Sequence, residues 1–341
     1  MSLYSLYRPL IRPIFFSLDP ELAHTIVINT GKILSHEPLC SLFSQKVEDR
    51  GCDVMGLHFN NPLGLAAGMD KNGDAIDYLG ALGFGYLELG TVTPKAQDGN
   101  AKPRMFRVIE ANALINRMGF NNKGVDYLVN NLIKRKYKGI VGVSIGKNET
   151  TALENAHLDY IYCMQKVYPH CDYIAVNISC PNTIGLTALQ EKEPLCKLLS
   201  ILKQEQCRLF SKYNKHVPLV VKISPDLTLS QINALCNACL ENNIECISCT
   251  NTTTRRDLIY GLNHASEWGG LSGKPICAIA NETLKQVKSI VGDKIPLIGI
   301  GGISDVCDAK EKLNNGASLL QLYSSFVYKG PIVIKDIVNN L

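Results

Sequence analysis

The chain has 341 residues, of which 46% are hydrophobic and 19% charged, with a formal net charge of +4. That composition suits a protein with a substantial core, folded as one large domain or two ordinary ones. It excludes a charge-driven nucleic-acid binder, because +4 is too small and no basic run with interleaved aromatics occurs. It also excludes a membrane-spanning helix, because no apolar run reaches the ~20 residues required.

In the first 45 residues Leu3, Leu6, Tyr7, Leu10, Ile11, Ile14, Phe15 and Leu18 recur at intervals of three and four, as one apolar face of a helix does. Arg8 and Arg12 are the only charges before Asp19. Pro9 is acceptable in a first turn, whereas Pro13 removes a hydrogen bond and kinks the element. Asp19-Pro20-Glu21 reads as a cap, a first-position proline and a first-turn acid, opening a second helix towards Leu34. Two short helices with an apolar face and a basic flank predict a lip for a membrane surface or a partner. The blander alternative is that they simply pack on the main domain. The apolar stretch from Ile14 to Leu18 is too short for a secretory signal, and an Arg- and Ser-rich transit pattern is missing. The mature chain is therefore expected to start near Met1 and to stay in the cytoplasm.

Short apolar or β-branched runs follow at 63–68, 86–93, 139–145, 173–179, 218–224, 246–251, 296–302 and 319–324, with helix-periodic stretches between them. Eight strands alternating with helices predict a closed (β/α)8 TIM barrel with a small N-terminal helical extension. The expected division is a lip over 1–45 and a catalytic barrel over 46–341. A doubly wound open sheet is the alternative; eight units, and strand ends rich in Gly, Asn, Ser and Thr, favour closure.

Barrel chemistry sits at the carboxyl ends of the strands, so those ends are taken as a set. Strand one ends in Ala66-Ala67-Gly68-Met69-Asp70-Lys71, and strand two in Gly90-Thr91. Strand four runs into Asn177-Ile178-Ser179-Cys180-Pro181-Asn182, two amides flanking a thiol that can act as a base if its surroundings favour the thiolate. The rival reading is a plain turn with an incidental cysteine. Strand five carries Lys222 after Pro-Leu-Val-Val, so burial is expected, and a buried ammonium needs an anionic partner. A flavin ring, anionic on reduction, would supply one. Strand six gives Thr250-Asn251-Thr252, strand seven Gly299–Gly302 and strand eight Tyr323-Ser324. The glycines after strand seven, with Ser324, suit an anion such as a phosphate, and 269–273 (Gly-Gly-Leu-Ser-Gly) reads as a second glycine-rich loop.

Thirteen cysteines are scattered through apolar segments, which points to reduced thiols. The double motif Cys236-x-x-Cys239 and Cys246-x-x-Cys249 has the look of a zinc site. Residues three apart on a strand face opposite ways, however, so Cys246 and Cys249 cannot easily share an ion. No metal is expected.

Taken together, the run 61–71 (Asn-Pro-Leu-Gly-Leu-Ala-Ala-Gly-Met-Asp-Lys), 90–94 (Gly-Thr-Val-Thr-Pro), 115–122 (Ile-Asn-Arg-Met-Gly-Phe-Asn-Asn) and 269–273 give the chain a full-length resemblance to the dihydroorotate dehydrogenases. It resembles specifically their membrane-associated, quinone-dependent class 2. The resemblance implies bound FMN held by Ala67, Gly68, Thr91, Asn177, Lys222, Thr250, Gly273, Gly302, Tyr323 and Ser324. Met69, Asp70, Lys71 and Ser144 belong to the same implied set. The dihydroorotate or orotate site would comprise Lys71, Asn116, Arg117, Met118, Gly119 and Phe120, together with Asn177, Asn182, Asn251 and Thr252. Cys180 would remove the C5 proton while hydride leaves C6, and Lys222 would stabilise the reduced flavin. His24, Arg107 and Tyr323 resemble the residues near the quinone entrance. The implied place is the cytoplasmic face of a bacterial inner membrane, as a peripheral protein in pyrimidine biosynthesis.

Two positions depart from the pattern. Class 2 members usually have serine where this chain has Cys180, a trait of the soluble class 1 enzymes that use fumarate or NAD; a class 1-like oxidase is therefore the alternative. The family usually places an asparagine where Ser144 stands. A third reading, a non-catalytic barrel that binds a phosphorylated ligand and docks on membranes, gives Cys180 no role.

Overall fold

The structure, a computed structural model, describes residues 3–36, 38–182 and 186–341, with all their side chains except those of Leu3, Ser5 and Thr187. Leu3, the first position of the expected apolar face, therefore lies outside the described side chains.

The first element of the N-terminal segment is not one kinked helix. A 3-10 turn (Leu3–Leu6) and a π turn (Tyr7–Ile11) lead into α1 (Arg12–Ser17), which has Pro13 in its first turn. Two prolines four residues apart deny the backbone two donors, and the chain changes helical pitch there. Then come α2 (Pro20–Leu34) and the short α3 (Leu39–Leu42). The predicted cap forms: Asp19 Oδ1 accepts the backbone N–H groups of Glu21 and Leu22 at 3.0 and 2.9 Å. A few polar clasps fasten the lip to the rest. Tyr7 donates its hydroxyl to the Val327 carbonyl at 2.6 Å, and the Arg107 guanidinium caps α1 by donating to the carbonyls of Phe15 and Leu18 at 3.1 and 2.8 Å. No helix among the described residues is long and apolar enough to cross a membrane.

A hairpin of β1 (Cys52–Val54) and β2 (Leu57–Phe59) precedes β3 (Leu63–Leu65) and β4 (Tyr86–Val92). After β5 (Met105–Val108) and β6 (Ala113–Asn116) come β7 (Ile140–Ile145), β8 (Tyr173–Asn177), β9 (Leu219–Ile223) and β10 (Cys246–Cys249). Then follow β11 (Gly270–Gly273), β12 (Leu297–Ile300) and β13 (Leu319–Leu322). The eight strands β3, β4, β7, β8, β9, β10, β12 and β13 pair in parallel and close on themselves, so the predicted (β/α)8 barrel is the observed fold. All eight fall inside the runs expected from sequence.

Alternation along these strands builds two cores. Outward residues such as Leu87, Leu89, Val143, Ile174 and Val221 pack under the helices. Inward residues Tyr86, Tyr173, Ala175, Val220, Cys246, Ile298 and Leu319 fill the lower barrel, and Phe59 of the hairpin closes it from below, 5.1 Å edge-on from Tyr86. Cys246 belongs to the inner core while Cys249, Cys236 and Cys239 belong to the outer one. The double CxxC is thus split across the sheet. None of the thirteen cysteines forms a disulfide.

Pattern reading missed the three-stranded antiparallel sheet β5-β6-β11. β5 and β6 form a hairpin in the long loop after barrel strand two, but β11 lies far on in sequence, in the loop after strand six, so no local signal joins it to them. The expected glycine-rich loop at 269–273 is the outer strand of this sheet. Glycine is needed there for closeness: a Cβ on Gly270 would strike the Thr252 side chain, and Gly273 takes φ +104°.

Candidate active site

At the carboxyl end of the barrel lies a cavity of about 370 Å³, a size typical of ligand sites. Register places its floor. Asn177, Lys222 and Ser248 are neighbours on β8, β9 and β10, all inward and all one layer above the apolar interior. Lys222 and Gln321 face the cavity from this layer.

One half of the cavity is lined with amides. Asn177 donates to Thr91 Oγ1 at 2.8 Å, and Thr91 shares a 2.8 Å hydrogen bond with Ser144 Oγ. Asn251 donates to Ser179 Oγ at 3.0 Å and to Asn177 Oδ1 at 3.3 Å. Asn182 donates to the Asn116 carbonyl at 3.0 Å, while its own Oδ1 is buried and accepts nothing among the described residues. Such a group awaits a donor. Cys180, 8% exposed, opens onto the same space. Lys71 is there too, donating to the Gly68 carbonyl at 3.2 Å. Burial, and then the nearby Arg104 guanidinium, lower the Lys71 pKa to about 8, against the opposing charges of Glu21, Asp70 and Cys180. Lys71 is thus a cation short of a counter-charge, in a cage of donors and acceptors. That suits a flat, carboxylated, amide-bearing ring.

The other half is backbone and hydroxyl. Gly301 and Gly302 take φ of +101° and +77°, and a Cβ on Gly302 would collide with the Cys277 backbone. Ser272 and Ser324 share a 2.8 Å hydrogen bond, and the buried Ser325 Oγ has no partner among the described residues. Lys274, paired with Asp308 at 2.7 Å, and Lys329, donating to the Ser304 carbonyl at 2.6 Å, stand at this end. Bare backbone and hydroxyl donors with lysines behind them fit a phosphate. The Lys222 ammonium donates no hydrogen bond among the described residues and lines the same cavity. Donor set and shape therefore fit a phosphorylated, electron-accepting ring.

Most residues expected from sequence line this one cavity: Ala67, Gly68, Lys71, Thr91, Asn116, Met118, Gly119 and Phe120; Asn177, Cys180, Asn182, Lys222, Thr250, Asn251 and Thr252; and Gly273, Gly302, Tyr323 and Ser324. Six lie outside the lining. The buried Asp70 carboxylate, its pKa raised by burial, receives the N–H groups of Asp74 and Ala75 at 2.9 and 2.8 Å and shapes the turn after Lys71. Met69 offers its carbonyl to His24 Nε2 at 2.7 Å. Burial lowers the His24 pKa to about 4, so the ring is neutral and donates from Nε2. Ser144 stands one hydrogen bond back, behind Thr91. The Arg117 side chain turns away to Glu267 at 2.7 Å, between the rings of Phe106 and Trp268. Arg107 is occupied by the α1 carbonyls and lies over the Phe16 ring.

Sequence reasoning missed Asn112, Ser272, Lys274, Ser325 and Lys329 at the phosphate-like end, whose elements give no local cue of convergence. It also missed Glu88, an acid in the otherwise apolar run Tyr86–Val92. An unexplained carboxylate in a buried strand is a readable signal.

Residues 51–341 match the family described as Dihydroorotate dehydrogenase. A protein of Baumannia cicadellinicola subsp. Homalodisca coagulata named Dihydroorotate dehydrogenase (quinone) is 50% identical over 333 residues, 98% of this chain and 99% of its own. One of the same name from Proteus mirabilis is 49% identical, over 98% of this chain and all of its own. The crystal structure of ligand-free DHODH from Eimeria tenella superposes with a TM-score of 0.87 at 33% identity, covering 94% of both chains. The chain belongs to the flavin-dependent dihydroorotate dehydrogenase family, within its quinone-type class.

Proposed function

We propose that the chain oxidises dihydroorotate to orotate with FMN in the cavity and delivers the electrons to a quinone at the lip. A single convergence carries this reading: Cys180, Lys71 and four asparagines share one half of a cavity whose other half suits a phosphate. Gly301, Gly302, Ser272 and Ser324 would hold the FMN phosphate, and the group, when bound, would supply two-electron redox chemistry between the substrate and a quinone. The chain's own residues do the rest. Lys71 binds the substrate carboxylate, and Asn116, Asn177, Asn182 and Asn251 fix the ring through its amides. Cys180 takes the C5 proton; a free thiol, near pKa ~8.5, is a far less demanding base than the serine usual in this class. Lys222 supplies positive charge to the cavity, which favours a reduced, anionic flavin. Ser144 acts through Thr91 rather than by contact with the cofactor.

The lip, 1–45, is the proposed membrane and quinone-entry element, and 46–341 the catalytic unit. Leu10, Ile14, Leu22, Ile33 and Leu42 are 50% or more exposed on it, an apolar face beside Arg8 and Arg12. His24 holds α2 to the Met69 carbonyl, Arg107 holds the end of α1, and Tyr323 lines the cavity; these three form the proposed quinone entrance. A lipid-borne acceptor and these exposed residues support peripheral attachment to a membrane, and we place it on the cytoplasmic side of a bacterial inner membrane.

One experiment tests the reading. The purified protein should be yellow, and with dihydroorotate it should reduce a soluble quinone while fumarate and NAD give little turnover. A colourless protein that FMN does not reconstitute, or full activity with fumarate, overturns it.

A further inference from the structure

We infer that Glu88, buried at the centre of the barrel, is the counter-charge of Lys222 and thereby sets the redox potential of the bound flavin. This rests on the FMN reading above.

Glu88 is wholly buried. A carboxylate in that position carries a large desolvation cost that only close partners offset. One oxygen, Oε2, accepts the Tyr173 hydroxyl at 2.9 Å and the Gln321 amide at 2.8 Å. The other, Oε1, accepts no hydrogen bond among the described residues, and Lys222 Nζ is 3.8 Å from it. Along β4 the inward positions rise from Tyr86 in the apolar interior, through Glu88, to Gly90 and Thr91 at the rim. Lys222 lines the cavity and Glu88 does not. The ammonium thus stands between the carboxylate beneath and the ligand space above.

The consequence is electrostatic. Lys222 alone would favour negative charge in the cavity strongly, because Coulomb attraction is little screened in a closed interior. Glu88 cancels much of that field and adds a repulsion of its own. The pair holds the flavin's reduced form less tightly than a lone lysine would, which keeps the electrons transferable to an acceptor. A merely structural role for Glu88, tying β4, β8 and β13 through Tyr173 and Gln321, predicts something different. Glu88→Gln keeps an oxygen acceptor for Tyr173 and Gln321 and replaces the oxygen that faces Lys222 by a neutral amide nitrogen, so the clasp between strands stays while the counter-charge goes.

The test is the midpoint potential of the flavin in the purified holoenzyme, measured by reductive titration against reference dyes, for wild type, Glu88→Gln and Glu88→Asp. Glu88→Gln should shift the reduced-to-oxidised equilibrium at least tenfold towards reduced flavin, about 30 mV more positive for a two-electron couple. Glu88→Asp, which keeps the charge but withdraws it from Lys222, should shift it less in the same direction. A flavin-loaded Glu88→Gln protein with an unchanged or more negative potential overturns the inference. Should Glu88→Gln fail to fold or to retain flavin, an unchanged or more negative potential in Glu88→Asp overturns it equally. A wild-type protein without flavin sinks the FMN reading instead, so the two failures are distinguishable.

Discussion

Along α1 no residue is buried, whereas every residue of β4 is. The lip and the barrel are stabilised in different ways. The barrel gains from continuous apolar burial on both faces of its strands, which makes the rim a rigid frame for the cavity. The lip keeps much of its apolar surface outward and is held by discrete clasps: Tyr7 on Val327, Arg107 on the end of α1, His24 on Met69, and Glu21 on Arg104. Frame and attachment can therefore be perturbed separately, except where one clasp reaches into the site. Glu21 is that exception. Its carboxylate binds Arg104 at 2.7 and 3.1 Å. Arg104 also donates to the carbonyl of Asn100 at 2.8 Å, and the Asn100 side chain donates to the carbonyl of Asn182, two residues beyond Cys180, at 3.3 Å.

The largest expected effect belongs wholly to the frame. Cys180→Ala should lower kcat with dihydroorotate by about two to four orders of magnitude, the usual worth of a positioned base, while the protein stays folded and yellow. Stopped-flow bleaching of the flavin measures it. Retention of a tenth of the wild-type rate would remove the thiol from the mechanism.

The shared clasp comes next. Glu21→Ala strands Arg104, only 7% exposed, and should cost about 3 kcal/mol in denaturant unfolding. Burial raises the Glu21 pKa, but the hydrogen bonds and charge of Arg104, helped by Lys102, outweigh it and leave it below 4.5. The folded value is thus the depressed one, so the stabilisation is present above pH 4.5 and is lost as pH falls through the folded value. If lip and frame are truly independent, the variant will change stability alone. If the clasp couples them, the Michaelis constant for dihydroorotate will rise as well.

A tenfold effect is expected in pH dependence. Burial lowers the Lys71 pKa to about 8, and an anionic substrate binds its charged form. The Michaelis constant for dihydroorotate should be flat below pH 8 and climb by up to tenfold per unit above it, and Lys71→Met should abolish the climb. Loss of Glu21, whose charge supports the ammonium, should move the break to lower pH. A break that stays put would detach Glu21 from the site.

The smallest effect isolates the lip. Ile14 is 66% exposed, and Ile14→Asp should weaken binding to anionic lipid vesicles several-fold by flotation, leaving dihydroorotate-driven flavin bleaching within twofold of wild type. Unaltered vesicle binding would take this face away from the membrane.

Local chemistry determined a good deal of this protein from sequence alone. Eight apolar runs spaced by helical periodicity determine the barrel, Asp19-Pro20-Glu21 determines a helix start, and strand ends bearing amides, glycines and a thiol mark the reactive rim, because each depends on residues near one another in the chain. Tertiary structure alone decided which of those residues meet. Barrel closure brings Lys222 of β9 over Glu88 of β4, turns Arg117 outward to Glu267, sets Ser144 behind Thr91, and zips 270–273 onto 113–116. These are pairings between segments far apart in sequence, fixed by register and shape rather than by any local preference.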